Sequence, residues 1–97
     1  MRIIIWSGKA MDDYLENIDY LEKNWTELEI KNFITKTDDV LGKLKMDNIR
    51  FLSTGYRDTF RVPITKQVTL FYMLGENEVI LLRFWNNYQN PNVFSTE

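Results

Sequence analysis

The sequence predicts an α+β fold of the order β-α-α-β-β-β, with a helical hairpin packed on one face of a small, mainly antiparallel twisted sheet. Three strand-like segments, 56–64, 66–74 and 77–85, follow one another in the second half of the chain. The turns between them, at residues 65–66 and 75–77, have lengths that connect neighbouring antiparallel strands. The first half supplies a short apolar strand and two segments with helical periodicity.

Three consecutive isoleucines at residues 3–5 predict the first strand. Because this segment is apolar on both faces, we expect it to lie inside the sheet or beneath the helices. Ser7 is a candidate N-cap for the helix that follows. The apolar stripe of this helix recurs at steps of three and four residues and comprises Met11, Tyr14, Ile18, Leu21 and Trp25. Asp12, Asp13 and Glu16 are assigned to its solvent face.

A capping box predicts the start of the second helix. Thr26 is followed three residues later by Glu29, the spacing at which the two side chains satisfy the first backbone N–H groups. The stripe of this helix comprises Ile30, Phe33, Thr37, Val40 or Leu41, and Leu44. Two helices of roughly 15 to 19 residues joined by a tight loop form a helical hairpin.

Alternation along the three strands separates a core face from an open face. The first of them places Phe60, Val62 and Ile64 on one side, and Arg57, Thr59, Arg61 and Pro63 on the other. The second alternates Val68, Leu70, Tyr72 and Leu74 against Gln67, Thr69, Phe71 and Met73. The last strand is apolar on both faces except for Arg83, which predicts a central position in the sheet.

The open face carries the candidate target-binding residues. Strand pairing could bring Arg57, Thr59 and Arg61 near Thr69, with Arg83 on the last strand, and the strand register decides whether they converge. Guanidinium groups on such a face can hold phosphates, polarise a scissile phosphodiester or grip an acidic protein surface. Ordinary solvated charges on the wet side of an antiparallel sheet give the same pattern, so both interpretations stand.

Arg83 interrupts an apolar run and therefore needs a partner, since an unpaired buried charge costs several kcal/mol. We expect that partner to be Asp58 or backbone carbonyls of the carboxy-terminal tail. The tail itself is rich in amides, and Tyr88, Gln89 and Asn90 complete the list of candidate target-binding residues. Its composition suits a partner contact and a simple loop equally.

Composition limits the chemistry that this chain can perform. Its 97 residues form one domain, residues 1–97. Without cysteine or histidine it lacks disulfides, thiolate metal sites and the commonest general base, so we expect no metal and no cofactor. The apolar run at residues 3–6 is far shorter than a membrane span of about 20 residues, and we expect a cytoplasmic protein without a membrane partner.

The net charge of −2 favours a protein partner over direct, sequence-specific DNA binding by this chain alone. Proteins that bind nucleic acid are usually strongly basic, because their affinity rests on neutralising phosphates.

Taken together, the segments resemble the RelE/ParE superfamily of toxins. The resemblance rests on a strand opening with Tyr56-Arg57, a Leu70-Phe71-Tyr72 strand, a Leu81-Leu82-Arg83 strand and an Asn90-Pro91 tail. The amino-terminal strand and helical hairpin agree with it, so that it covers almost the whole chain. It implies a bacterial type II toxin, of the kind linked to plasmid stabilisation and growth inhibition, that a cognate antitoxin neutralises.

Two activities share that fold, and the resemblance is nearer to ParE than to RelE. RelE-like members cut messenger RNA on the ribosome with basic side chains and a late tyrosine, whereas ParE-like members inhibit DNA gyrase. Arg57 and Thr59 fall close to a pair of lysines in the RelE pattern, so one basic group is kept. Val68 and Gln89 fall near expected arginines, and Ser95 or Phe94 near the expected tyrosine. If the chain were a nuclease, its candidate catalytic residues would be Arg57, Arg61, Arg83 and Tyr88.

Three hypotheses for the function follow from these residues and this resemblance. The first is a ParE-like toxin that binds a protein target, DNA gyrase. The second is a ribosome-dependent endoribonuclease, and the third is a degenerate, non-toxic interaction module. All three imply a cognate antitoxin that supplies an amphipathic helix or strand.

Overall fold

The computed structural model describes residues 2–24, 26–46, 52–55 and 58–87, which form two helices on one five-stranded sheet. The elements are β1 (Ile3–Trp6), α1 (Gly8–Asn24), α2 (Glu27–Leu44), β2 (Leu52–Ser53), β3 (Thr59–Pro63), β4 (Val68–Leu74) and β5 (Glu78–Asn86). The strand order is β1-β5-β4-β3-β2, with β1 parallel to β5 and the other pairs antiparallel. The predicted fold is confirmed, and the two-residue β2 is added to it.

Both helices begin at the predicted caps. The Ser7 hydroxyl accepts a hydrogen bond from the Ala10 N–H at 3.0 Å. The Thr26 hydroxyl likewise accepts from the Glu29 N–H at 3.4 Å. Each cap satisfies an N–H that has no partner inside its helix and so fixes where the helix starts. Within the described residues, neither helix is long and apolar enough to cross a membrane.

The sheet face that the helices cover is the one predicted from alternation. Its buried side chains are Val62, Ile64, Val68, Leu70, Tyr72, Val79, Leu81 and Phe84. Phe33, Thr37 and Leu44 are the buried residues of α2, as its stripe predicted. On α1 the buried residues are Ala10, Asn17 and Leu21, whereas Met11 is 42% exposed. The core face of α1 is therefore rotated slightly from the predicted stripe.

Four aromatic rings join both helices to the two strands that pair in parallel. Trp6 of β1 stacks on Phe84 of β5 with ring centroids 5.4 Å apart. Tyr14 of α1 meets the rings of Trp6, Phe84 and Phe33 at 5.2 to 5.3 Å. Such pairs add to the stabilisation that burial alone provides. This aromatic cluster fixes how α1 and α2 sit above β1 and β5.

Of the two positions predicted for β1, the one inside the sheet is wrong, because this strand lies at the edge of the sheet. Ile4 and Trp6 pack against the core on the helix side. Ile3 and Ile5, on the opposite face, are 63% and 38% exposed. A run that is apolar on both faces usually marks an interior strand, but here one apolar face remains open to solvent. The central position predicted for the last strand is confirmed, since β5 lies between β1 and β4.

Replacing Phe33 by alanine should lower the free energy of unfolding by about 3 to 5 kcal/mol. The ring is 1% exposed and touches Tyr14, so its loss leaves a cavity between α2 and the sheet. Urea denaturation measures the change. Leu28→Ala, on the same helix but 74% exposed, is the matched control and should stay within about 0.5 kcal/mol. Equal losses in the two variants would contradict the assigned core.

Tyr14 should make the protein sensitive to alkali. Burial, and secondarily the negative charge of Asp38, raise the pKa of its phenol above the usual value near 10. The unfolded chain therefore releases this proton more readily, and stability is lost as pH rises from about 10 through the folded pKa. We expect Tyr14→Phe to flatten the decline in urea midpoint between pH 9 and 11. The urea midpoint of Tyr20→Phe, a change at an exposed site, should decline over the same pH range as that of the unmodified protein.

Candidate functional site

The strand register sets the rows of side chains on the face turned away from the helices. Arg61, Phe71 and Arg83 occupy one row across β3, β4 and β5. Thr69 stands beside Pro63 and Trp85 in the next row. Two of the predicted arginines are therefore aligned by the sheet, with one strand between them. Their side chains, however, have different surroundings.

Arg61 is exposed, and Thr59 beside it is half-buried. In the strands β3, β4 and β5 as the structure describes them, Arg61 is the cation that solvent reaches freely. Thr69 donates a hydrogen bond from its hydroxyl to Asn87 Oδ1 at 2.9 Å. Asn87 in turn donates from Nδ2 to the Lys66 carbonyl at 3.0 Å. Thr69 is thus tied to the end of the β3–β4 hairpin and is not grouped with Arg61.

Arg83 is bound to helix α1. Its Nε donates to Asp13 Oδ2 at 2.6 Å, and its Nη2 donates to Asp13 Oδ1 at 3.1 Å. This is a two-pronged guanidinium–carboxylate pair, the strongest arrangement that these groups form. The side chains are only 23% and 12% exposed, so the pair is largely removed from water. We call this interaction the Asp13–Arg83 fork.

The prediction of Asp58 as the partner of Arg83 is wrong, and the alternative prediction, backbone carbonyls of the tail, falls largely on residues outside the described ones. Asp58 precedes β3, and its carbonyl accepts from Leu74 N–H, at the end of the sheet opposite Arg83. The apolar stripe places Asp13 on the solvent face of α1, so the sequence pattern does not predict this pair. One signal could have revealed it: Asn17, the polar residue inside the apolar stripe, lies four residues after Asp13 and hence on the same side of the helix.

The hydrogen bond to Asp13 raises the pKa of the Arg83 guanidinium above its usual value; burial opposes this rise, and the negative charges of Asp13 and Glu16 add to it. The guanidinium also lies over the Trp85 ring, 5.2 Å from its centroid, a cation–π distance. Arg83 is thus permanently charged, but its charge is matched inside the protein. An anion from outside would have to compete with the Asp13 carboxylate for it.

A β-bulge explains why Arg83 can reach Asp13. Leu81 pairs with Tyr72 and Arg83 pairs with Phe71, so that Leu82 is an extra residue on β5. Val79 and Leu81 point to the core, and continued alternation would have pointed Arg83 there as well. The bulge shifts the phase by one residue, so Phe84 takes the core position and Arg83 stays outside it.

Helix α1 also satisfies the backbone of β5 beyond the end of β1. The Ser7 hydroxyl donates to the Leu82 carbonyl at 3.2 Å. Asp13 Oδ2 accepts from the Phe84 N–H at 3.1 Å, and Asn17 Nδ2 donates to the Phe84 carbonyl at 3.3 Å. These groups occupy the side of β5 on which β1 has ended at Trp6. Side chains of α1 therefore take the place of a missing strand.

A cleft of about 240 Å³ follows this edge of the sheet. Its lining includes Asp13, Glu16, Asn17, Tyr20 and Arg83. Because one carboxylate already neutralises the arginine and Glu16 adds a further negative charge, the cleft repels phosphates instead of attracting them.

Four other candidate residues, Arg57, Tyr88, Gln89 and Asn90, lie outside the described residues. The structure describes three tyrosines. Tyr72 is fully buried on the core face, Tyr14 belongs to the aromatic cluster, and Tyr20 is an exposed residue of α1. None of the three lies on the open face of the sheet, where a general base would be needed.

Removal of the Asp13 carboxylate should destabilise the protein by about 2 to 3 kcal/mol, because Arg83 and the Phe84 N–H both lose a charged partner. Thermal and urea unfolding of Asp13→Ala measure the loss. Asp12→Ala removes an exposed neighbouring carboxylate and serves as the control. If Asp13→Ala lowers the free energy of unfolding no more than Asp12→Ala does, the fork contributes little to stability.

No protein-family model and no curated protein matches the sequence. Solved structures do match the fold over nearly the whole chain. The chromosomal ParDE toxin–antitoxin system from P. aeruginosa superimposes with a TM-score of 0.73 at 11% identity, covering 89% of this chain and 96% of that one.

Two further structures agree. The YoeB dimer from Staphylococcus aureus gives a TM-score of 0.59 at 18% identity, with 90% and 98% of the two chains covered. The DinJ–YafQ complex from E. coli gives 0.55 at 14% identity, with 89% and 93% covered. The element order, the sheet and these superpositions agree with the resemblance read from the sequence, and the chain has the fold of the RelE/ParE toxin superfamily.

Proposed function

We propose that this chain is the toxin of a type II toxin–antitoxin pair and acts as ParE-like toxins do, by binding a protein target, DNA gyrase, in the bacterial cytoplasm. A cognate antitoxin would hold it inactive. The observation that carries the ParE-like assignment is the Asp13–Arg83 fork, which neutralises one of the two arginines on the described strands of the meander.

Phosphodiester cleavage needs a group that takes a proton and cations that stabilise the charged transition state. The chain has no histidine. In the described strands β3, β4 and β5, Arg61 is the one solvent-exposed cation of the open face, because Arg83 is paired with Asp13. A single exposed arginine favours recognition of a protein surface over phosphodiester cleavage, because an exposed arginine among apolar neighbours is a common anchor in protein interfaces.

The structural matches support the toxin class. The ParDE structure, which is that of a toxin–antitoxin system, has the highest TM-score of the three reported above. Another match is a heterotetrameric YoeB–YefM toxin–antitoxin complex from Staphylococcus aureus, with a TM-score of 0.57. At identities of 11 to 18% these matches support the fold directly and the activity only by analogy.

A ribosome-dependent endoribonuclease is the second candidate. The alignment of Arg61 and Arg83 in one row of the sheet favours it, because a partner that displaced Asp13 would leave two cations about 10 Å apart across two strand spacings. The third candidate is a degenerate, non-toxic module of the same fold.

Induced expression in a bacterium separates the three. We expect growth arrest, early retention of messenger RNA, and inhibition of supercoiling when purified protein is added to DNA gyrase. Arg61→Ala should reduce that inhibition by about tenfold if this exposed arginine is an anchor at the interface. Lys31→Ala, an exposed cation on α2, is the matched control and should inhibit as the unmodified protein does.

Each alternative outcome has its own signature. Cleavage of ribosome-bound messenger with gyrase unaffected would replace the ParE-like proposal by the nuclease. Normal growth at high expression of folded protein would leave the non-toxic module.

A further inference from the structure

The cleft beside the Asp13–Arg83 fork continues past the edge of the sheet. A second cavity, of about 50 Å³, lies between the two helices and the β3–β4 hairpin. It shares Asn17, Tyr20 and Asn86 with the 240 Å³ cleft, so the two spaces adjoin along these residues. We call the two spaces together the Tyr20 groove. Its floor in the second cavity is apolar and is formed by Leu21, Phe33 and Val68.

Asn17 presents a hydrogen-bond acceptor to this groove. Only 7% of the residue is exposed. Its Nδ2 donates both hydrogens, one to the Asp13 carbonyl at 2.9 Å and one to the Phe84 carbonyl at 3.3 Å, which fixes the orientation of the amide. Within the described part of the chain, Oδ1 accepts no hydrogen bond, and it is not fully enclosed. A nearly buried amide oxygen needs a donor, and the groove is the side from which a donor can reach it.

Two carboxylates give the groove its charge. Glu16 and Tyr20 are four residues apart on α1, and Asn17 and Tyr20 are three apart, so Tyr20 lies beside both on one side of the helix. Glu29, half-buried in the first turn of α2, lines the groove from the other helix. Neither carboxylate has an ion-pair partner among the described residues. Since the charges of the fork cancel, the groove is negative in sum.

We propose that the Tyr20 groove binds a small organic cation through a guanidinium group. A guanidinium is planar, carries five N–H donors and stacks on aromatic rings. Tyr20 is 44% exposed, so its ring is accessible to such a group. A guanidinium on this ring would donate to Asn17 Oδ1 and to the Glu16 carboxylate. An alkyl chain attached to it would cover the apolar floor and bring a second cation toward Glu29.

Other classes of ligand fit the groove less well. Phosphates and carboxylates are repelled by Glu16 and Glu29. Among the described residues, no group of three acidic side chains is placed to hold a metal ion. A primary ammonium is a compact, strongly hydrated charge that does not stack on a ring as a guanidinium does. The acceptor, the carboxylate and the aromatic ring together therefore select a guanidinium, whatever the target of the toxin is.

Titration of the isotope-labelled full chain with agmatine, followed by two-dimensional NMR, tests the proposal. Agmatine carries a guanidinium and a primary ammonium at the two ends of a butyl chain. We expect saturable shifts of the Asn17 side-chain amide and the Tyr20 backbone amide, with a dissociation constant of about 1 mM or lower. Putrescine, in which a second ammonium replaces the guanidinium, is the control probe and should bind at least about tenfold more weakly.

Variants identify the groups that hold the cation. Glu16→Gln removes the charge of an exposed side chain and should weaken agmatine binding about tenfold. Tyr20→Ala should weaken it about threefold, whereas Tyr20→Phe keeps the ring and should bind as the unmodified protein does. Glu22→Gln removes the same charge from an exposed site of α1 outside the groove, and it is the matched control. Unfolding midpoints establish that each variant is folded.

Three results would overturn the proposal. If about 20 mM agmatine causes no saturable shift at Asn17, the groove holds water alone. If putrescine binds as tightly as agmatine, the groove does not select a guanidinium. If Glu16→Gln and Glu22→Gln weaken binding equally, the cation is attracted by the acidic surface in general. None of these measurements depends on growth arrest, so the proposed function is tested separately.

Discussion

The Asp13 carboxylate accepts three hydrogen bonds, from Nε and Nη2 of Arg83 and from the backbone N–H of Phe84. The rest of the structure depends on this arrangement because β5 is longer than β1. Four residues of β1 cannot cover the nine residues of its neighbour. Buried backbone groups without partners are costly, and α1 supplies partners from its side. The carboxylate thereby fixes the position of α1 relative to β5 and the orientation of the Arg83 side chain.

Capping and core packing make this arrangement possible. Ser7 ends β1, starts α1 and contacts Leu82, so one residue sets both the length of the strand and the direction of the helix. Because of the bulge at Leu82, the core position is occupied by Phe84 and not by Arg83. Phe84 then completes the aromatic cluster with Trp6 and Tyr14. The functional consequence is that Arg83 is used within the fold, and Arg61 remains as the exposed cation of the described strands.

Local signals explain what the sequence could predict. The caps at Ser7 and Thr26 and the alternation around Val62 and Tyr72 involve residues a few positions apart, and the structure confirms each of them. The partner of Arg83 could not be found in this way. Asp13 lies 70 residues away, and its approach depends on the parallel pairing of β1 with β5 and on the bulge.

The site was less predictable for the same reason. Register brings Arg61 and Arg83 into one row, which the sequence left open, yet the interactions of Arg83 are set by a helix that precedes it by more than 50 residues. The edge position of β1 was missed because Ile-Ile-Ile-Trp is apolar on both faces, a pattern that interior strands share.

A double-mutant cycle on Asp13→Ala and Arg83→Ala, followed by urea denaturation, tests the central claim most directly. If the fork joins α1 to β5, the sum of the losses in unfolding free energy of the two single variants will exceed the loss of the double variant. The difference, which is the coupling free energy, should be about 2 kcal/mol. Additive effects, within about 0.5 kcal/mol, would contradict the account, because Arg83 would then be free for a ligand on the open face.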